Sequence, residues 1–282
     1  MSALDRDLTL TLKSDLFRII QDTQSLKIRG VPINVFKTVT GLKTLDVAFD
    51  NINRPDIPNL KVLLRILEKN LALEKVWIKS EEAFKLEVEQ PLETPINLPQ
   101  LKFLSLTFNR WRDAEYMISR IRIPKNEEMD VEISCPVDVI PLEDALKSIG
   151  GFSSSLIHVE VDWVGTPTLS ILSRENGKLF LSPVPSEDIC TALEGGFPLF
   201  PWQNVERLDF EFGRRLPKLS AKASLFTALK TITADSLGSL YRREDEKRKR
   251  TGPLEEFARS LNMYREKTSA DGPKIWRKSV QS

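Results

Sequence analysis

The single histidine, His158, stands two residues from Glu160 in LIHVEVD. An imidazole oriented by a carboxylate is the least equipment a general base needs. The sequence places no Ser or Cys against it, so catalysis is not expected and the chain reads as no enzyme. Glu160, Asp162, Asp209 and Glu211 are hard oxygen ligands of the kind a divalent cation takes. They come from different segments and lack the D-x-D-x-D-G spacing of a cation loop, so no metal is expected. SIGGFSSS, with Gly150 and Gly151, lacks the lysine of a phosphate loop and follows a helix instead of opening one. It reads as a helix stop. The chain has no G-x-x-x-x-G-K-[ST], G-x-G-x-x-G or G-x-S-x-G motif, and no cofactor is expected.

Composition narrows the class further. The chain has 282 residues, 41% apolar and 29% charged, with a net charge of +1. It can bury a core, and its total charge gives no general pull toward nucleic acid or an anionic membrane. Any electrostatic preference must come from local patches. Cys135 and Cys190 are the two cysteines, far apart and outside any C-x-x-C pair, which argues for a reducing compartment. The N-terminal MSALDRDLTLTLKSD lacks the basic start and apolar run of a signal peptide, and no N-x-[ST] sequon is present. A cytoplasmic or nuclear location is expected.

The elements that position these side chains repeat. LPQLKFLSLTF carries Leu101, Leu104 and Leu106 as L-x-x-L-x-L, with Asn109 where a leucine-rich repeat puts Asn. The pattern recurs in degenerate form in GLKTLDVAF, ALEKVWIK, SLIHVEVDW, NVERLDFEF and ALKTITAD, with partial copies in SLKIRG, MDVEIS and KLFLS. Its middle residues are Leu26, Leu45, Val76, Leu104, Val131, Val159, Leu181, Leu208 and Ile232. The steps between them are 19, 31, 28, 27, 28, 22, 27 and 24 residues, mostly within the period of leucine-rich repeats.

Between copies the apolar period becomes helical. Helices are expected in SDLFRIIQD behind Ser14, LKVLLRILEKN, DAEYMISRI and PLEDALKSI, and the stop signals KSIGGF and ALEGGF close two helices. Strand, turn, helix, turn predicts an α/β leucine-rich-repeat solenoid of irregular units with parallel strands. Leu45 is expected to stack on Val76, and Val76 on Leu104. Pro99 fits the entry to a strand. LTLTL, Leu8 to Leu12, reads as a strand at an exposed sheet edge. Residues 1–235 form the repeat domain, and 236–282 a charged, partly helical tail. In the tail, REDEKRKR reads as a solvated helical segment, LEEFARSLNMYREK as a short amphipathic helix, and the residues from Thr268 as frayed.

LLRILEKN leading into LEKVWI, followed by I-x-L-P-x-L-K-x-L-x-L from Ile96 to Leu106, resembles the repeat region of fungal F-box leucine-rich-repeat proteins, particularly those of mushroom-forming fungi. The resemblance covers roughly residues 8 to 235 by pattern. It implies a substrate receptor of a cullin-based ubiquitin ligase, docked to the ligase adaptor through an N-terminal F-box. No segment here has the Leu-Pro-rich helical character of an F-box. What the resemblance carries over is the substrate-recognising half, with the adaptor a partner if an F-box lies upstream.

The outward strand positions would line the concave face, one row per unit. The expected partner-binding residues are Lys75, Trp77, Lys79, Phe103, Ser105, His158, Glu160, Asp162, Arg207, Asp209 and Glu211. Ser25, Lys27, Arg29, Thr44, Asp46, Thr107, Asp130 and Glu132 share the rows. Trp77 and Phe103 on adjoining rows have the character of binding anchors. A register shifted by one would turn both into core. The expected function is non-enzymatic protein binding. Two other readings stand beside it: nucleic-acid binding through the basic early rows and tail, and a truncated product without activity of its own.

Overall fold

The computed structural model describes residues 8–10, 24–29, 36, 38–49, 60–80, 95–124, 128–149, 156–162, 167–173, 177–193, 202–212, 224–236 and 274–276. Within these, the side chains at 8–10, 61, 156–157, 162, 210–212, 233–236 and 274–276 are outside the description. The expected helix behind Ser14, both GGF stop signals, REDEKRKR and the LEEFARSLNMYREK helix lie outside the described residues. The architecture is mixed α/β with mostly parallel strands. The chain divides into two compact units, Met1–Val139 and Ile140–Ser282.

In the first unit the elements run β1 (Leu8–Leu10), β2 (Ser25–Arg29), β3 (Thr44–Phe49), α1 (Leu60–Lys69), β4 (Lys75–Ser80), β5 (Ile96–Asn97), β6 (Phe103–Phe108), α2 (Trp111–Ile118), β7 (Ile121–Arg122) and β8 (Asp130–Ser134). The sheet order is β1-β2-β3-β4-β6-β8, every pair parallel, and β5 pairs with β7 apart from it. Alternating apolar and polar residues impose the two-residue side-chain period of a strand. In β6, Leu104, Leu106 and Phe108 are buried while Phe103, Ser105 and Thr107 are half-buried. The register carries that division from strand to strand: Leu26 faces Leu45, Leu45 faces Val76, Val76 faces Leu104 and Leu104 faces Val131. All five are at most 1% exposed. Leu63, Leu64 and Leu67 of α1 and Ala114, Met117 and Ile118 of α2 are buried as well. The apolar sides of these strands and helices are thus hidden from water.

A second regularity sits in the backbone ahead of the strands. Residues six and three places before a ladder residue close tight turns: Leu73 N–H donates to Asn70 O (3.1 Å) and Leu101 N–H to Leu98 O (3.1 Å). In the second unit Val205 N–H donates to Trp202 O (3.1 Å) and Leu229 N–H to Phe226 O (3.3 Å) in the same positions. Next, one carbonyl accepts two N–H groups from the following copy. Gln24 O takes Lys43 and Thr44, Lys43 O takes Glu74 and Lys75, Glu74 O takes Lys102 and Phe103, and Glu206 O takes Lys230 and Thr231. Pro99 stands inside one of these turns, just after the short β5 and ahead of β6, where its fixed φ suits the second turn position.

The second unit contains α3 (Leu142–Ile149), β9 (Leu156–Asp162), β10 (Thr168–Ser173), β11 (Gly177–Ser182), α4 (Ser186–Leu193), β12 (Arg207–Phe212), β13 (Thr231–Ser236) and β14 (Lys274–Trp276), with a 3-10 turn at Trp202–Asn204. Its sheet order is β11-β10-β9-β12-β13-β14. Here the expectation of a continuous parallel succession needs correction. β10 is an additional strand, antiparallel to both β9 and β11, so the copy at Leu181 is not the sheet neighbour of the copy at Leu208. β9 pairs directly with β12, Val159 facing Leu208, and Leu208 faces Ile232 of β13. TLSILS alternates well enough to form a strand, with Leu169, Ile171 and Ser173 buried. It lacks the L-x-x-L-x-L spacing, so the repeat search passes over it. β14, among the residues expected to be frayed, adds a parallel edge strand to β13.

Among the described residues, no helix is long and apolar enough to cross a membrane.

Candidate functional site

The sheet face of the first unit opposite the leucine ladder carries the largest group of expected binding residues. Parallel register sets Lys27, Asp46, Trp77, Ser105 and Glu132 side by side in one row. A second row runs Arg29, Ala48, Lys79, Thr107, Ser134, and a third Ser25, Thr44, Lys75, Phe103, Asp130. Because side chains two apart along a strand share a face, these rows form one surface. Lys75 and Lys79 are exposed; Trp77, Phe103 and Ser105 are half-buried. Neither ring is part of the core. Their centroids are 4.8 Å apart with planes inclined at 37°, a tilted stacking contact.

Beside the rings the face sinks into a depression of about 340 Å³. Lys27 and Arg29 of β2, Asp46 of β3, Trp77 and Lys79 of β4, and Ser105 and Thr107 of β6 are among its walls. Asp46 accepts from Arg29 Nη2 at 2.8 Å and stands 3.5 Å from Lys27 Nζ. One carboxylate therefore faces two cations. Ala48, at an open-face position between Arg29 and Lys79, is 2% exposed and puts a methyl group between two long side chains. Sequence reading placed Lys27, Arg29 and Asp46 in the rows but not among the binding residues. Their signal was the i, i+2 spacing in SLKIR opposite an acid in TLDVAF.

In the second unit the structure brings three expected residues together. His158 Nε2 lies 2.8 Å from Asp209 Oδ2, and Arg207 Nε donates to both Asp209 oxygens at 3.1 and 2.9 Å. Glu160 is exposed. The carboxylate that meets the imidazole is on the neighbouring strand, 51 residues away in sequence, and Glu160 instead faces Asp209 across the ladder. His158 is flanked in register by Leu172 of β10 and Arg207 of β12, neither of which is a nucleophile. The cluster ties Asp209 of β12 to His158 of β9 and to Arg207 on its own strand. The side chains of Asp162 and Glu211 lie outside the description, although their backbones are register partners. Among the described residues, no three His, Cys, Asp or Glu side chains gather as a metal site.

Neither cysteine takes part in a disulfide. Cys135 is fully buried; burial, then the nearby Asp138 and Asp113 carboxylates, push its thiol up to about 12. A group held protonated in this way is no nucleophile.

Comparison of the chain with protein-family models, with curated proteins and with solved structures found no match.

Proposed function

We propose that this chain is a protein-interaction module, built as a leucine-rich-repeat solenoid of irregular units and similar in role to the substrate-recognising part of an F-box protein. The observation that carries the reading is the Trp77–Phe103 contact on the open sheet face, 4.8 Å between centroids. Two half-exposed aromatic side chains kept together outside the core are the usual anchors of a protein interface. The recurring turn and shared-carbonyl bonds ahead of the strands support the repeat architecture. The cations of β2 and β4 and the acids of β8 offer a partner opposite signs within one face, which sets orientation more than affinity. A cytoplasmic or nuclear setting accords with two cysteines that form no disulfide.

A second reading, nucleic-acid binding, draws on Lys27, Arg29 and Lys79 beside an aromatic pair. It competes poorly with the presence of Asp46 among those cations and of Asp130 and Glu132 on β8.

The test is affinity capture of the tagged full chain from native extract, read by mass spectrometry, with Trp77→Ala plus Phe103→Ala as the comparison. The double variant should fold, since neither ring is core, and should lose the proteins the parent captures. A partner set unchanged by the double variant would sink the proposed surface. Recovery of a cullin and its adaptor would extend the role to a ubiquitin ligase.

A further inference from the structure

We infer that the depression over β2–β4 receives a carboxylate side chain from an extended segment of the partner, with a large apolar residue two positions away packed on Trp77 and Phe103. This deepens the protein-binding reading above and rests on it.

Charge is the first argument. Lys27 and Arg29 share the single carboxylate of Asp46, at 3.5 and 2.8 Å, which leaves one positive charge of that trio unmatched. An incoming monoanion balances it; a dianionic phosphoryl group would add repulsion against Asp46. Arg29 Nη2 donates to Asp46 and Nη1 donates to Ile28 O at 3.5 Å, and a guanidinium with five N–H groups has further donors for a carboxylate. Shape is the second argument. The depression of about 340 Å³ that Lys27, Arg29 and Asp46 help to wall has room for a side chain of modest length. Spacing is the third. Trp77 is in register with Asp46 of β3, and Asp46 with Lys27 of β2, so the ring residue and that cation stand two strand spacings, roughly 9.6 Å, apart at the backbone. Same-side residues of an extended partner segment lie roughly 6.6 Å apart, and the long Lys27 and Arg29 side chains span the difference, so one residue reaches the rings while the next but one reaches the cations.

The surroundings select a peptide over a polyanion. Asp130 lies beside Phe103 and Glu132 beside Ser105, one strand away. A nucleic-acid backbone crossing the rings would meet those acids; a peptide with one acidic residue does not have to.

The experiment pans a library of random linear peptides against the full chain and measures the selected peptides by fluorescence anisotropy. Enriched sequences should carry Asp or Glu two positions from a large apolar residue. Replacing that acid by Lys in a selected peptide should weaken binding about tenfold or more. Arg29→Glu should weaken the acidic peptide comparably and recover the Lys-substituted one. Arg29→Gln, which places no second carboxylate beside Asp46, is the milder companion, and the peptide substitution tests the idea without altering the protein. Selected peptides that need Trp77 and Phe103 but show no acidic preference would overturn the carboxylate assignment and leave the protein-binding surface standing. Peptides indifferent to the double aromatic variant, or no enrichment at all, would overturn both. Displacement of a selected peptide by single-stranded oligothymidylate would assign the site to nucleic acid and overturn the inference.

Discussion

Asn70 closes α1 with its side chain among the four polar or charged residues buried in the described structure, at 1% exposure. Its Oδ1 accepts from Leu42 N–H at 2.9 Å, and its Nδ2 donates to Val39 O (2.9 Å) and Ile66 O (2.7 Å). Leu42 lies in the segment that leads into β3, so this amide ties the end of α1 to that segment. Asn109, the residue expected in a repeat asparagine position, is only half-buried. Asn70→Ala leaves a buried N–H and two carbonyls without these partners, at a cost of about 2–3 kcal/mol. A urea melt should show a lower midpoint with an unchanged slope. Cys135 makes a different prediction. With its thiol raised to about 12 from an ordinary 9.0, it should resist alkylation at neutral pH in the folded protein and react once unfolded. The stability linked to this thiol is fully present below pH 9, where neither state ionises it. It is lost as pH rises from 9 toward 12, because the unfolded thiol ionises first. Mass-spectrometric mapping of alkylation with pH checks both points.

The strands show how local pattern becomes a sheet. Leu104 is 0% exposed, between Val76 and Val131 in register. Leu104→Asp puts an unpaired carboxylate into that ladder and should cost more than about 4 kcal/mol, enough to unfold the chain or much of it. A soluble variant with a cooperative thermal transition near that of the parent would contradict the assigned register. Helix ends were harder to read. Arg110, at the N-terminus of α2, makes no side-chain cap bond; Asp138 Oδ2 instead accepts from Trp111 N–H at 2.9 Å. At α3, Leu142 N–H is taken by Asp188 Oδ2 at 3.0 Å, from 46 residues away. Both caps are acids placed where helix ends favour negative charge, but they arrive through tertiary packing. A search for nearby Ser, Thr, Asp or Asn cannot find them.

For the molecule as a whole, a net charge of +1 means that no strong long-range field draws a partner in. Recognition then depends on short-range contact at the rings and on opposite charges within one face. Capture of the protein partner should therefore fall only modestly between low and moderate salt, whereas binding through several phosphates would fall steeply. Parallel pulldowns at two salt concentrations measure this directly. The two units contribute different material to that comparison. The first has the aromatic pair and the depression, and the second has Asp209 bonded to both His158 and Arg207.

The positions of the strands that carry the L-x-x-L-x-L pattern, the face their side chains take and the helices α1, α2 and α3 were legible from the chain itself. They follow from apolar period, which is two in a strand and near four in a helix, and apolar side chains leave water wherever that period repeats. Trp77 and Phe103 could be placed on one face for the same reason. Other features depended on which distant segments became neighbours. The insertion of β10 between β9 and β11, the pairing of His158 with Asp209, the borrowed caps on α2 and α3, and the sharing of Asp46 by Lys27 and Arg29 all require a register between separate stretches of chain. That register is chosen by packing across the whole sheet, so only the tertiary structure decides it.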